Sequence, residues 1–119
     1  MKAKITLDRE EFKSFVNIVV SLSRNIEVDA TLESLQHKDA LVGLGLRLMN
    51  KVAVSLKAKN RVTLTDMETT VVFYELSANV EVLPPYEAAL SLRLLADIDK
   101  QRMAAASRYL SDEMFLLDR

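Results

Sequence analysis

Cysteine is absent from the 119-residue chain, which excludes disulfide bonds and thiolate metal sites. Histidine occurs once, as His37, in a polar stretch beside Lys38. A single histidine provides neither a pair of metal ligands nor a visible Ser–His–acid arrangement. The sequence also contains no HExxH motif, EF-hand loop or Walker motif. We therefore predict that the chain is not an enzyme and that it binds no metal and no cofactor.

Glycine and proline are also scarce, with two of each in the whole chain. A β-sandwich or barrel of this length needs many tight turns, and tight turns favour these two residues. Their scarcity therefore indicates a few long elements, which are most easily helices. Half of the residues are apolar but only 6% are aromatic, so the predicted core is aliphatic.

Long apolar runs are missing as well. A membrane-spanning helix needs roughly 18 consecutive apolar residues, and the longest candidate, 40–49, is shorter and contains two glycines and Arg47. Residues 1–8 lack the apolar region of a secretory signal. We expect a cytoplasmic protein that has no membrane partner.

A short motif occurs twice. Residues 4–11 read KITLDREE, and residues 61–68 read RVTLTDME. In both copies, an alternating run typical of a short strand leads into a Ser/Thr/Asp-x-x-Glu capping box, which is typical of a helix N-terminus. The motif predicts a strand–helix–helix unit in each half, 1–59 and 60–119, within a single domain. Either an internal duplication or two independent uses of the same local signals explains the similarity.

Apolar spacing predicts strands at 2–7 and 61–64 and four helices, at 9–26, 39–59, 66–79 and 85–110. The two strands are expected to pair antiparallel, because a lone strand leaves its backbone amides and carbonyls unsatisfied. The predicted fold is mainly α, with four helices in pseudo-duplicated strand–helix–helix units and a small two-stranded β ribbon. The alternatives are an all-α bundle for the fold and, locally, a strand through Leu44, Leu46 and Leu48.

The helix predicted at 39–59 is apolar on more than one side. Apolar surface that one small core does not bury is usually covered by a partner. We therefore predict an interaction or assembly protein that forms a homodimer or another homo-oligomer, or that binds a protein partner. The predicted contact residues lie on this helix and in the apolar C-terminal tail, and they are Leu44, Leu48, Val52, Phe115 and Leu116.

Charge is unevenly distributed around a net charge of −1. Residues 41–65 contain five basic side chains and no acidic one, whereas residues 66–119 contain five basic and ten acidic ones. The five basic residues are Arg47, Lys51, Lys57, Lys59 and Arg61.

Five cations without an acid could contact phosphates, so the alternative prediction is a nucleic-acid-binding accessory or regulatory protein that uses 47–61. Against it, cations near a helix C-terminus interact favourably with the helix dipole. The acidic second half can also neutralise them, and no aromatic residue is interleaved to stack on bases.

Overall fold

The computed structural model describes residues 2–26 and 31–117, with side chains as far as residue 108. Within these ranges the chain forms four α-helices, a two-stranded sheet and one short 3-10 helix. In chain order the elements are β1 (Lys4–Asp8), α1 (Arg9–Asn25), α2 (Leu32–Ser55), β2 (Lys59–Thr63), α3 (Asp66–Asn79), the 3-10 helix Val80–Val82, and α4 (Pro85–Leu117). The predicted fold, mainly α with a small ribbon, is confirmed, and the all-α alternative is wrong.

The ribbon pairs one strand from each half of the chain. β1 and β2 run antiparallel, with Ile5 opposite Val62 and Leu7 opposite Asn60. These four side chains are buried, whereas the alternate positions of both strands are exposed. The ribbon therefore has one face on the core and one face in solvent, as the alternating sequence predicts.

Both capping boxes form as predicted. Asp8 Oδ1 accepts from the Glu11 amide at 2.8 Å, and Glu11 Oε1 accepts from the Asp8 amide at 3.0 Å. Thr65 Oγ1 accepts from the Glu68 amide at 3.2 Å, and Glu68 Oε1 accepts from the Thr65 amide at 2.9 Å. The order strand–helix–helix thus occurs in each half, and a duplication as its origin stays a prediction.

The start of α2 differs from the prediction. The helix begins at Leu32 and ends at Ser55, whereas the sequence predicted 39–59. Thr31 is the N-cap, and its Oγ1 accepts from the Ser34 amide at 3.2 Å. Because Thr31 offers the same capping chemistry upstream, Asp39 lies inside the helix. The local strand alternative is also wrong, since residues 44–48 are helical.

The core lies between the ribbon and the helices, and residues from both halves contribute to it. Its fully buried side chains include Phe12 and Phe15 of α1, Leu44 of α2, Leu76 of α3 and Leu94 of α4. α4 is 33 residues long. Neither it nor any other helix in the described ranges has the apolar length needed to cross a membrane.

Candidate self-association surface on the second helix

α2 has an inner and an outer apolar face. The inner face carries Leu41, Leu44 and Leu48, which are buried in the chain's own core. The outer face carries five large apolar side chains that are exposed to solvent, which we call the outer stripe: Leu32, Leu35, Val42, Leu46 and Met49. Their exposed fractions lie between 40% at Val42 and 70% at Leu32, so the described part of the chain leaves each of the five partly uncovered.

The spacing of the outer stripe is that of a coiled-coil seam. Counted from Leu32, its members follow one another in steps of three and four residues, with Asp39 in the place between Leu35 and Val42. Residues at these steps lie on one side of a helix, and their alternation defines the a and d positions of a heptad. The seam runs for 18 residues, or about 27 Å at 1.5 Å per residue.

The two flanks of the outer stripe differ. On one flank are Gln36, Gly43 and Asn50, which are uncharged and exposed. A Cβ atom built at Gly43 would have no neighbouring heavy atom within 4 Å, so this flank is open. On the other flank Gly45 is buried against α1, where its Cβ would lie 3.6 Å from Val20 Cγ2. α1 therefore borders the stripe on one side, and on the other side Thr65, Met67 and Glu68 at the start of α3 line a shallow pocket together with Gln36 and Gly43.

The structure describes the side chains of three of the five predicted contact residues. Leu44 is 0% exposed and Leu48 is 2% exposed, so the prediction that they form a self-association surface is wrong. Val52 is partly buried and packs against the core. Phe115 and Leu116 lie in α4, but their side chains are outside the part of the chain that is described.

The sequence showed that α2 is apolar on more than one side, but it did not show which side faces inward. Both faces have helical spacing, so periodicity alone does not separate them. A helix start at Leu32 would have supplied the missing signal. With Leu32 and Leu35 included, the outer stripe extends over almost the whole helix.

Two of the five predicted phosphate-contacting residues are engaged inside the chain. Arg47 donates to both carboxylate oxygens of Glu68, at 2.9 and 3.1 Å, and to the Thr63 carbonyl at 3.1 Å. Lys51 Nζ donates to the Arg61 carbonyl at 3.0 Å and lies 5.6 Å from the centre of the Phe12 ring. Glu68, a carboxylate of the acidic second half, therefore neutralises the charge of Arg47 within the chain.

These contacts also cover the edges of the ribbon. The carbonyls of Arg61 and Thr63 belong to β2, and side chains of α2 bind them. At β1 the Gln101 side chain of α4 accepts from the Lys4 amide at 2.9 Å and donates to the Lys4 carbonyl at 2.8 Å. An uncovered edge strand is open to pairing with another chain. Long side chains from α2 and α4 reduce that exposure at both edges.

Lys57, Lys59 and Arg61 remain exposed. Lys59 and Arg61 lie on the solvent face of β2, and the register places Lys4 on the same face of β1. The sequence analysis missed Lys4, because only the strand register shows which residues share that face. Asp8 lies directly opposite Lys59, so this face is not purely basic.

Elsewhere in the described ranges, no group of three or more His, Asp or Glu side chains is arranged to hold a metal ion. His37 lies on α2, and its Nε2 is 3.9 Å from Glu33 Oε1 of the preceding turn.

Comparison of the chain with protein-family models, with curated proteins and with solved structures found no match.

Proposed function

We propose that this chain is a non-catalytic interaction or assembly protein of the cytoplasm that self-associates through the outer stripe of α2. The observation that carries the proposal is a row of five exposed large apolar side chains at coiled-coil spacing. Burial of such a row against a partner removes apolar area from water, which is the main favourable term in protein association.

The flanks of the outer stripe support a second copy as the partner. A twofold-symmetric interface requires one surface to meet itself. Because Gln36, Gly43 and Asn50 carry no charge, the open flank of one copy does not repel the same flank of another. Charged flanking residues usually set partner choice in helical pairs. Gln36, Gly43 and Asn50 are all uncharged, and the nearby Arg47 is already paired with Glu68.

The proposal is tested by a charge placed in the middle of the outer stripe. Leu46 is 63% exposed, so Leu46→Glu should leave the fold intact. It should weaken self-association at least about tenfold, or about 1.4 kcal/mol, because a carboxylate would be buried at the seam. The measurement is sedimentation equilibrium over a range of protein concentrations, with circular dichroism to check the fold.

The matched control is Leu92→Glu. Leu92 is an exposed leucine on α4, 57% accessible, and it lies outside the outer stripe. This variant should associate like the unmodified chain. Equal behaviour of the Leu46→Glu and Leu92→Glu variants would refute the outer stripe as the interface.

Nucleic-acid binding is the alternative proposal, and the exposure of Lys57, Lys59 and Arg61 favours it. Its test is a fluorescence titration with short single-stranded and duplex DNA at two salt concentrations. Phosphate binding should weaken steeply with salt and be lost in Lys57→Glu plus Lys59→Glu. A control with the same charge change elsewhere, Lys13→Glu plus Lys100→Glu, should bind normally. No binding at low salt would eliminate this alternative.

A further inference from the structure

One charged residue, Asp39, occupies the heptad position between Leu35 and Val42 of the outer stripe. Its position distinguishes a parallel from an antiparallel pairing of the stripe with the same stripe of a second copy. We propose that two copies pair antiparallel along α2, about a twofold axis that passes between Ala40 and Leu41. This inference rests on the proposed function and adds the orientation and register of the contact.

A parallel pairing brings identical heptad positions together. Asp39 would then face Asp39 of the second copy, in a seam whose other members are apolar. Two carboxylates held close in a partly dry contact repel each other, and each loses hydration. The parallel arrangement therefore has an unfavourable layer in its centre.

An antiparallel pairing removes this conflict. The steps along the outer stripe, including Asp39, are three, four, three, four and three residues, which read the same from either end. A twofold axis at the midpoint therefore superposes the stripe on itself. It pairs Leu32 with Met49 of the second copy and Leu35 with Leu46 of the second copy.

Asp39 itself is accommodated in this arrangement. It lies opposite Val42 of the second copy and next to Gly43 of the second copy. Gly43 has no side chain, and within its own chain no heavy atom lies within 4 Å of where its Cβ would be. In the described ranges Asp39 takes part in no ion pair, so its charge is not already neutralised within the chain. A polar residue in an apolar seam commonly fixes orientation at some cost in stability.

Single-cysteine variants test the orientation without background, since the chain contains no cysteine. A disulfide requires Cα atoms within about 7 Å. In the proposed pairing, Leu35 and Leu46 of opposite copies are adjacent, whereas two copies of Leu35 are about 16 Å apart along the helix. Leu35→Cys and Leu46→Cys are therefore purified separately, mixed under reducing conditions and then oxidised.

We expect covalent dimers in the mixture and loss of cross-linking when either variant is oxidised alone. Ser77→Cys, an exposed site on α3, gives the rate of random collision. A mixture of Leu35→Cys with Ala53→Cys tests a register shifted by one heptad. Cross-linking in that mixture instead of the first would overturn the proposed register.

The remaining outcomes separate the inference from the proposed function. Efficient cross-linking of each variant with itself would show a parallel pair, which overturns the orientation but retains the outer stripe. An unmodified chain that dimerises while no stripe cysteine cross-links above the Ser77→Cys rate would overturn both proposals. A chain that is monomeric at every concentration would do the same.

A change at Asp39 provides an independent readout. In the Leu35→Cys background, Asp39→Leu removes the central repulsion that disfavours the parallel arrangement. We expect self-cross-linking of the Leu35→Cys variant to appear, together with tighter association. Unchanged absence of self-cross-linking would show that Asp39 does not set the orientation.

Discussion

Glu68 closes the first turn of α3 and also holds α2 in place. Its side chain is 8% exposed, and its carboxylate accepts from the Thr65 amide and from two nitrogens of Arg47. A buried carboxylate is costly unless it is paired and hydrogen-bonded. Arg47 therefore compensates a charge that the capping box alone would leave partly unsatisfied.

The first prediction compares the two arginines that bind capping-box glutamates. Arg47→Met should lower the free energy of unfolding by about 2 kcal/mol, because Glu68 stays buried without its cation. Arg93 pairs with Glu11 at 2.7 Å, and the Glu11 side chain is 23% exposed. Arg93→Met should therefore cost less than about 1 kcal/mol. Urea denaturation at one protein concentration measures both, and an equal or larger loss for Arg93→Met would contradict this account.

At this scale the sequence predicts contacts that are close along the chain. The Asp8–Glu11 and Thr65–Glu68 boxes span three residues each, so their residue types and spacing are sufficient. The Arg47–Glu68 pair spans 21 residues. For Arg93, spacing alone offers Asp97 one turn away, but the fold brings Glu11 to it. Such pairs depend on how the helices pack, which no local pattern contains.

Among the elements, α2 carries two apolar faces on one helix. Its inner face meets α1, and its outer face meets solvent. The two glycines of the chain lie on different sides of it. Gly45 is buried beside Val19 and Val20, while Gly43 is exposed on the open flank of the outer stripe. Glycine weakens a helix interior, because it loses the most conformational freedom on folding.

The second prediction concerns Gly43. Gly43→Ala should raise the free energy of unfolding by about 1 kcal/mol, because alanine favours the helix and its methyl group meets no atom within 4 Å. The measurement is urea denaturation in the Leu46→Glu background at low protein concentration, where the weakened self-association contributes least. Gly45→Ala serves as a comparison, since its Cβ would make ordinary contacts at 3.6 and 3.7 Å. A loss of stability at Gly43 would mean that this flank is not open.

The helices were predictable to different degrees, and each difference has a physical reason. α1 and α3 were placed almost to the residue, because a strand and a capping box precede each of them. α2 was placed seven residues late, because Thr31 and Asp39 are both acceptable caps. The inward face of α2 was misassigned, because burial is decided by α1 and the ribbon rather than by α2 itself.

In the whole molecule the two halves are interlocked. β1 of the first half pairs with β2 of the second. Arg47 of the first half binds Glu68 of the second, and Arg93 of the second binds Glu11 of the first. The core is built from both halves, and side chains of α2 and α4 partly cover the two edges of the ribbon. The outer stripe is a long row of apolar side chains that these internal contacts leave exposed in the described part of the chain.

Self-association through that surface is the central claim, and the molar mass of the unmodified chain tests it most directly. Light scattering should be recorded from low micromolar to submillimolar protein, because an exposed seam of this length can give modest affinity. The account predicts that the mass rises with concentration from one chain, 13.4 kDa, to a plateau at two chains. A constant 13.4 kDa over the whole range would contradict it.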